Sequence, residues 1–352
     1  MALADVTGDG VPEVIGITMD DRVSAVDGTG TILWTSAALT LASYPQITVA
    51  DLEGDGSVEI IVDKWVIAGA DGASLLSLSP SSSVLYRTPV VGDLDQDGSQ
   101  EILIGDKVYD ASGTGLWTNS GTSYGNFAAL LDADGDAGAE VFVVSGNQGY
   151  LHDSDGTELA SFAIPGGYGA SAPCVADFDG DGDPEVGVNN YNTLSVFETD
   201  GTLVWSVDSD DNSGVAGCSA WDVNADGAYE LLFGGETLFR IHDGTTGTVL
   251  YESSDHASPT LFEYPSVADV DGDGSGEIVM VNAGTFHGIT VYGHAGGTGW
   301  PAAGPLWGTH DFAVTNVEPD GHVPARPEAP WQAYNLFRWS RPTSRQIGRA
   351  HV

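Results

Sequence analysis

One acidic pattern recurs along this chain, Asp-x-Asp-Gly-Asp-Gly-x-x-Glu, followed each time by a short apolar run. It begins at Asp5, Asp51, Asp93, Asp132, Asp177, Asp222 and Asp269, at intervals of 39 to 47 residues. Carboxylates at positions 1, 3 and 5 converge if the backbone wraps around an ion. Gly at position 6 permits the sharp turn, and the carbonyl at 7 and the carboxylate at 9 complete a shell of oxygens. Such a shell suits Ca²⁺, a hard cation that takes six to eight oxygen ligands. The likeness to an EF-hand loop is partial, because there the closing Glu stands at position 12 and helices flank the loop. A single Asp-x-Asp-Gly would read as an acidic turn, since Asp and Gly dominate turns. Seven copies in phase, each crowding mutually repelling carboxylates, call for a cation.

Three copies carry the full ligand set: Asp93, Asp95, Asp97 and Glu101; Asp177, Asp179, Asp181 and Glu185; Asp269, Asp271, Asp273 and Glu277. The others vary. The first has Asp5, Thr7, Asp9 and Glu13, with a neutral hydroxyl at position 3. The second has Asp51, Glu53, Asp55 and Glu59. The sixth has Asp222, Asn224, Asp226 and Glu230, where the Asn amide oxygen can still coordinate. The fourth keeps Asp132, Asp134, Asp136 and Glu140 but has Ala137 in place of the position-6 Gly, where a left-handed backbone would cost about 1 kcal/mol. Up to seven Ca²⁺ ions are expected. The third, fifth and seventh loops, with three Asp plus Gly and Glu, are expected to bind most tightly, and the first and fourth, for Thr7 and Ala137, least tightly.

A period of this length fits one four-stranded propeller blade. A short strand precedes each motif, as in Pro173-Cys174-Val175-Ala176. A second follows it, as in Glu59-Ile60-Ile61-Val62. A third, such as Leu194-Ser195-Val196-Phe197, leads through an Asp-Gly turn into a fourth that often ends in an aromatic residue, as at Trp34, Trp117, Trp205 and Tyr251. Asp-Gly between such runs is a strong hairpin signal, because Gly accepts positive φ. No segment has helical periodicity. The fold expected is all-β: a seven-bladed β-propeller with four antiparallel strands per blade and a calcium loop between the first and second strand of each. The fourth strand of the last blade is placed between Trp307 and Asn316.

These motifs resemble FG-GAP and VCBS repeats, the calcium-bearing blades of integrin alpha-subunit propellers and of many secreted bacterial proteins. The resemblance covers roughly residues 1–317. It implies an ion in the loop joining the first two strands of each blade, held by the residues named above. The segments Trp307-Gly308-Thr309-His310, Val314-Thr315-Asn316-Val317, Pro330-Trp331 and Asn335-Leu336-Phe337-Arg338 resemble the sequence that closes such propellers in large secreted bacterial proteins. Residues 318–346, rich in Pro and Arg, are read as a linker or the start of a following domain. Residues 347–352 resemble a translated sequencing adapter and are set aside from the fold.

The formal net charge of −41, from 51 Asp and Glu against 10 Lys and Arg, opposes binding to nucleic acid or anionic membranes and suits cations. No run of 18 apolar residues is present. Met1-Ala2-Leu3-Ala4 enters the first motif without a signal peptide, so the N-terminus is expected to be incomplete and the protein secreted or on the cell surface. Cys174 and Cys218 lie three and four residues before the motifs of blades five and six. A disulfide there would staple two blades, but the one-residue offset argues against it, because successive strand side chains face opposite ways.

No nucleophile elbow, phosphate loop or zinc spacing is present. His152 and His242, at hairpin ends, read as exposed turn residues, and His287, His294 and His310 fall in the irregular seventh blade, where they could approach one another. Tyr44, Tyr124, Tyr168, Phe262 and Tyr264 precede first strands, on the face opposite the loops. They either pack between blades or form a surface for sugars or a protein partner. Two functions follow. One is a non-enzymatic extracellular binding, adhesion or display module, integrin-like in build, whose protein or carbohydrate ligand meets the face opposite the calcium loops, with variable links around blades five to seven. The other is a carbohydrate-active enzyme similar to propeller-built polysaccharide lyases. The latter needs basic residues to hold an acidic sugar, and residues 1–320 contain only Arg22, Lys64, Arg87, Lys107 and Arg240.

Overall fold

The computed structural model describes residues 1–339 except 82–85, 122–125, 168, 259–261, 284–287, 297–298 and 314. Its strands form seven consecutive antiparallel sheets, each built from neighbours in sequence. This is a seven-bladed β-propeller of four-stranded blades. In blade five, for example, the strands are Cys174–Ala176, Glu185–Asn190, Thr193–Glu198 and Leu203–Asp208. In all seven blades the second strand begins on the closing Glu of the acidic motif, from Glu13 to Glu277. The β-branched second strands are buried, as at Glu59–Val62, whereas fourth strands such as Ile32–Thr35 lie mostly exposed. The core therefore lies between blades, toward the axis.

Where a fourth strand carries a tryptophan, that residue locks its blade to the next. A Cβ added at Gly72 would come within 2.5 Å of the Trp34 ring, and one at Gly156 within 2.5 Å of the Trp117 ring. Only Gly lets the Asp-Gly turn sit on the preceding blade's tryptophan, and its φ of +71° at Gly72 and +87° at Gly156 suits the same residue. The third and fourth strands carry a β-bulge at the same place in six blades, as between Ala25 and Val26 or Val196 and Phe197.

Blade seven has three strands among the described residues, Ser266–Ala268, Glu277–Asn282 and Gly288–Tyr292. The fourth strand expected between Trp307 and Asn316 is a turn in its described part. Pro301 and Pro305 cannot donate to a ladder. The chain instead returns along the first strand, with Asp269 N–H donating to Gly304 O and Leu3 N–H of blade one to Gly308 O.

Cys174 and Cys218 form a disulfide across blades five and six, with Cα atoms 5.5 Å apart. The offset argument fails because these strands belong to different sheets. Each must point toward the other, so one uses the forward face of its blade and the other the rear face. A shift of one residue is what that requires. Gly187 makes room, since a Cβ there would lie 2.9 Å from the Cys174 sulfur.

Residues 318–339, whose composition suggested a linker or another domain, pack against the ring. Gly321 O accepts Asp5 N–H in blade one, and Asn335 both donates to and accepts from the main chain of Asp132 in blade four. The segment then enters the channel, where Phe337 pairs with Val175 and Arg338 is wholly buried. Residues 347–352 lie outside the described residues.

Candidate metal centres

Each acidic loop is shaped by its own carboxylates. The closing Glu accepts the N–H of position 2 in all seven blades, at 2.6–3.1 Å. The Asp at position 5 accepts the N–H of position 7 in all seven, at 2.7–3.0 Å. The first Asp accepts amides from the turn, as Asp5 does from Gly8 and Gly10. The closing Glu and the position-5 Asp thus hold the loop through one oxygen each, whereas the first Asp can use both, as Asp5 does.

The ligand atoms converge. In blade five, Asp177, Asp179, Asp181 and Glu185 each place an oxygen within 4.8 Å of the others. The same holds for Asp5, Asp9 and Glu13; for Asp51, Glu53 and Glu59; for Asp93, Asp95 and Glu101; and for Asp132, Asp134 and Glu140. Asp55, Asp97 and Asp136 stand outside these sets and cap the loop amides. In blade six Asn224 turns its Nδ2 to Glu230 and its Oδ1 to the Asp226 N–H. In blade seven Asp269 takes the amides of Gly272 and Gly274, and Asp271 that of Asp273.

Electrostatics leave these groups short of a cation. Burial, then the neighbouring carboxylates, push Glu59, Glu101, Glu140 and Glu230 up to about 7 and Glu185 to about 8. Glu13 and Glu277 are raised for the same reasons. Buried oxygens of Asp93 (Oδ1), Glu140 (Oε1), Glu185 (Oε1) and Thr7 (Oγ1) have no hydrogen-bond partner. Orphaned acceptors among oxygen-only donors fit a hard divalent cation, and the Thr7 hydroxyl is among them.

Two features escaped the sequence reading. Position 4 is left-handed in every loop, with φ from +59° to +81°, and Gln96 and Ala225 take it without being glycine. Ala137, in contrast, is not left-handed, so the expected strain at position 6 is absent there. The loop yields instead, and the Ala137 carbonyl collects donors from Gln96, Trp331 and Gln332. The second feature is Glu198, paired with Glu185 in register and raised by burial and by Asp179 and Asp181. It ends the strand next to the one that the closing Glu opens, so pairing those two strands as a hairpin would have found it.

His152, His242 and His310 are structural. His152 and His242 are not exposed turn residues; they are buried, bonded to Asn119 and the Gly247 carbonyl and set beside Trp117 and Trp205. His310 bonds to Pro89 O, His294 lies near Trp300, and His287 is outside the described residues, as are Tyr124 and Tyr168. Tyr264 donates to His310 O beneath Arg338. Tyr44 and Phe262 meet Tyr86 and Phe127 in a ring cluster, with centroids 4.7–6.3 Å apart.

Residues 132–188, spanning the blade-four loop to the second strand of blade five, match the family of FG-GAP-like repeats. The chain carries an FG-GAP-like repeat. No curated protein sequence matches the chain. Among solved structures, the V. cholerae biofilm matrix protein Bap1 superposes with a TM-score of 0.84 at 18% identity, over 96% of this chain and 84% of that one. A Bacillus licheniformis rhamnogalacturonan lyase gives 0.53 at 19% identity, over 95% and 77%. The rhamnogalacturonan lyase YesX gives 0.50 at 18%, over 83% and 71%. At these identities the likeness is one of fold.

Proposed function

We propose that this FG-GAP-like propeller is a calcium-stabilised, non-enzymatic binding or display module of the extracellular space, with its ligand surface opposite the calcium loops. The observation that carries the reading is the division of the two faces. One face holds the carboxylate loops, whose buried orphan oxygens suit Ca²⁺. The other, where the first strands begin, gathers Tyr44, Tyr86, Phe127 and Phe262, with Tyr44 54% exposed. Both Tyr44 and Phe262 hold a left-handed backbone, at φ +56° and +65°, a strain that collects at functional surfaces. The Cys174–Cys218 disulfide supports an oxidising compartment.

The lyase alternative asks for basic side chains free to hold an acidic sugar. Arg22, Arg87 and Arg240 are paired with Asp20, Asp63 and Glu252, and Lys107 donates to Ser79 O. Arg338, His310 and Tyr264 do meet in the channel, but Arg338 is 0% and His310 5% exposed, and burial holds His310 down at about 3. They serve as a plug. The test sets Tyr44→Ala with Phe262→Ala against a control, Val11→Ala, that changes an exposed side chain within the first loop and keeps its backbone carbonyl, on a glycan array and against surface proteins. Loss of a ligand in the first variant alone supports the reading. Loss in the control alone, or cleavage of an acidic polysaccharide by the unaltered protein, refutes it.

A further inference from the structure

The C-terminal segment encloses a cavity of about 280 Å³ against the loop of blade three. This lies just below the range of about 300–1,000 Å³ usual for small-molecule sites, so it suits a single small ligand. Its floor is apolar, with Leu130, Trp331 and Phe337. Its rim is polar, and the rim's hydrogen-bonding state is informative. Gln96 and Gln332 commit an Nε2 hydrogen to Ala137 O, and Gln100 commits one to Asp51 O. Their amide carbonyls are left to accept. Thr315, 7% exposed, lines the cavity with an Oγ1 that has no partner. Arg326 brings a positive charge to the lining and Glu328, Asp93 and Asp311 bring negative ones, and neither Arg326 nor Glu328 forms an ion pair among the described residues.

We propose that this cavity binds one neutral pyranose residue of a saccharide. A neutral ring has an apolar C–H face for Trp331 and Leu130. Its hydroxyls both donate and accept, so they serve the amide carbonyls, Glu328, Arg326 and the Thr315 hydroxyl together. A carboxylate ligand would face Asp93, Asp311 and Glu328 as well as the free acceptors, and like charges repel. The site lies on the calcium-loop face, so it is independent of the aromatic surface proposed above.

The experiment is calorimetric titration of the full chain in calcium with methyl glycosides of glucose, galactose and mannose, with glucuronate and glucosamine alongside. Saturable binding of at least one neutral glycoside is expected. Thr315→Val, which keeps the side-chain shape, and Glu328→Ala should each weaken it about three- to tenfold. Tyr44→Ala should leave it unchanged. Absence of saturable binding by all three neutral glycosides overturns the proposal. So does tighter binding of glucuronate or glucosamine, or binding that both cavity variants leave intact.

Discussion

Reducing the Cys174–Cys218 bond removes a cross-link without deleting an atom from the interface between blades five and six. The bond closes a loop at a sequence separation of 44. Loop-closure entropy for that length is worth about 4 kcal/mol at 25 °C. An unfolding entropy of about 2.1 cal/mol/K per residue over this chain gives about 0.74 kcal/mol/K, so the melting temperature should fall by about 5 °C. The assay compares oxidised protein with protein reduced while unfolded, refolded in calcium and held under reductant. Alkylation of the unreduced, denatured protein counts its thiols. Two alkylated thiols in that sample, or melting temperatures within about 1 °C of each other, against the ~5 °C shift expected from chain entropy, would refute the reasoning.

The strained loop positions give a paired test. Ala225→Gly relieves a left-handed alanine and should stabilise by about 1 kcal/mol in a urea titration. Ala137→Gly, at a residue that is not left-handed, should give no gain, and a larger gain there than at Ala225 would show the loop assignment to be wrong. The raised glutamates predict a pH dependence in chelator. The folded state holds their protons more tightly than the unfolded one, so stability present at low pH is lost as pH rises through about 7 for Glu59, Glu101, Glu140 and Glu230 and about 8 for Glu185. Burial lowers His152, His242 and His310, and their effect is confined to pH below the unfolded value of about 6.5. Between pH 6.5 and 8.5 the melting temperature in chelator should therefore fall, and calcium should remove the fall; a flat chelator profile counts against the burial of these carboxylates.

The blades and loops were legible because each repeats a local rule. An Asp-Gly turn, a β-branched run and a closing Glu depend on near neighbours, and seven copies leave little freedom. What depended on contacts between sheets was less legible. The cysteine offset was read within one sheet, although the bond joins two. His152 and His242 sit at turns, but those turns are covered by the preceding blade's tryptophan. The demand for a left-handed backbone at position 4 was hidden because five of seven loops meet it with Gly, so Gln96 and Ala225 passed unnoticed. The tail, with its prolines and arginines, has a linker's composition, and only the channel gives Arg338 its partners in Pro173 and His310.

The account rests on the seven acidic loops being cation sites that hold the propeller together. A ligand that binds only the folded state raises the melting temperature by mass action. Thermal unfolding of the intact chain in excess chelator, then with Ca²⁺ or Mg²⁺ added back, tests this most directly. The melting temperature should drop in chelator, and Ca²⁺ should restore it more fully than Mg²⁺, which demands tighter octahedral geometry and gives up its water reluctantly. A melting curve unchanged by chelator would contradict the claim.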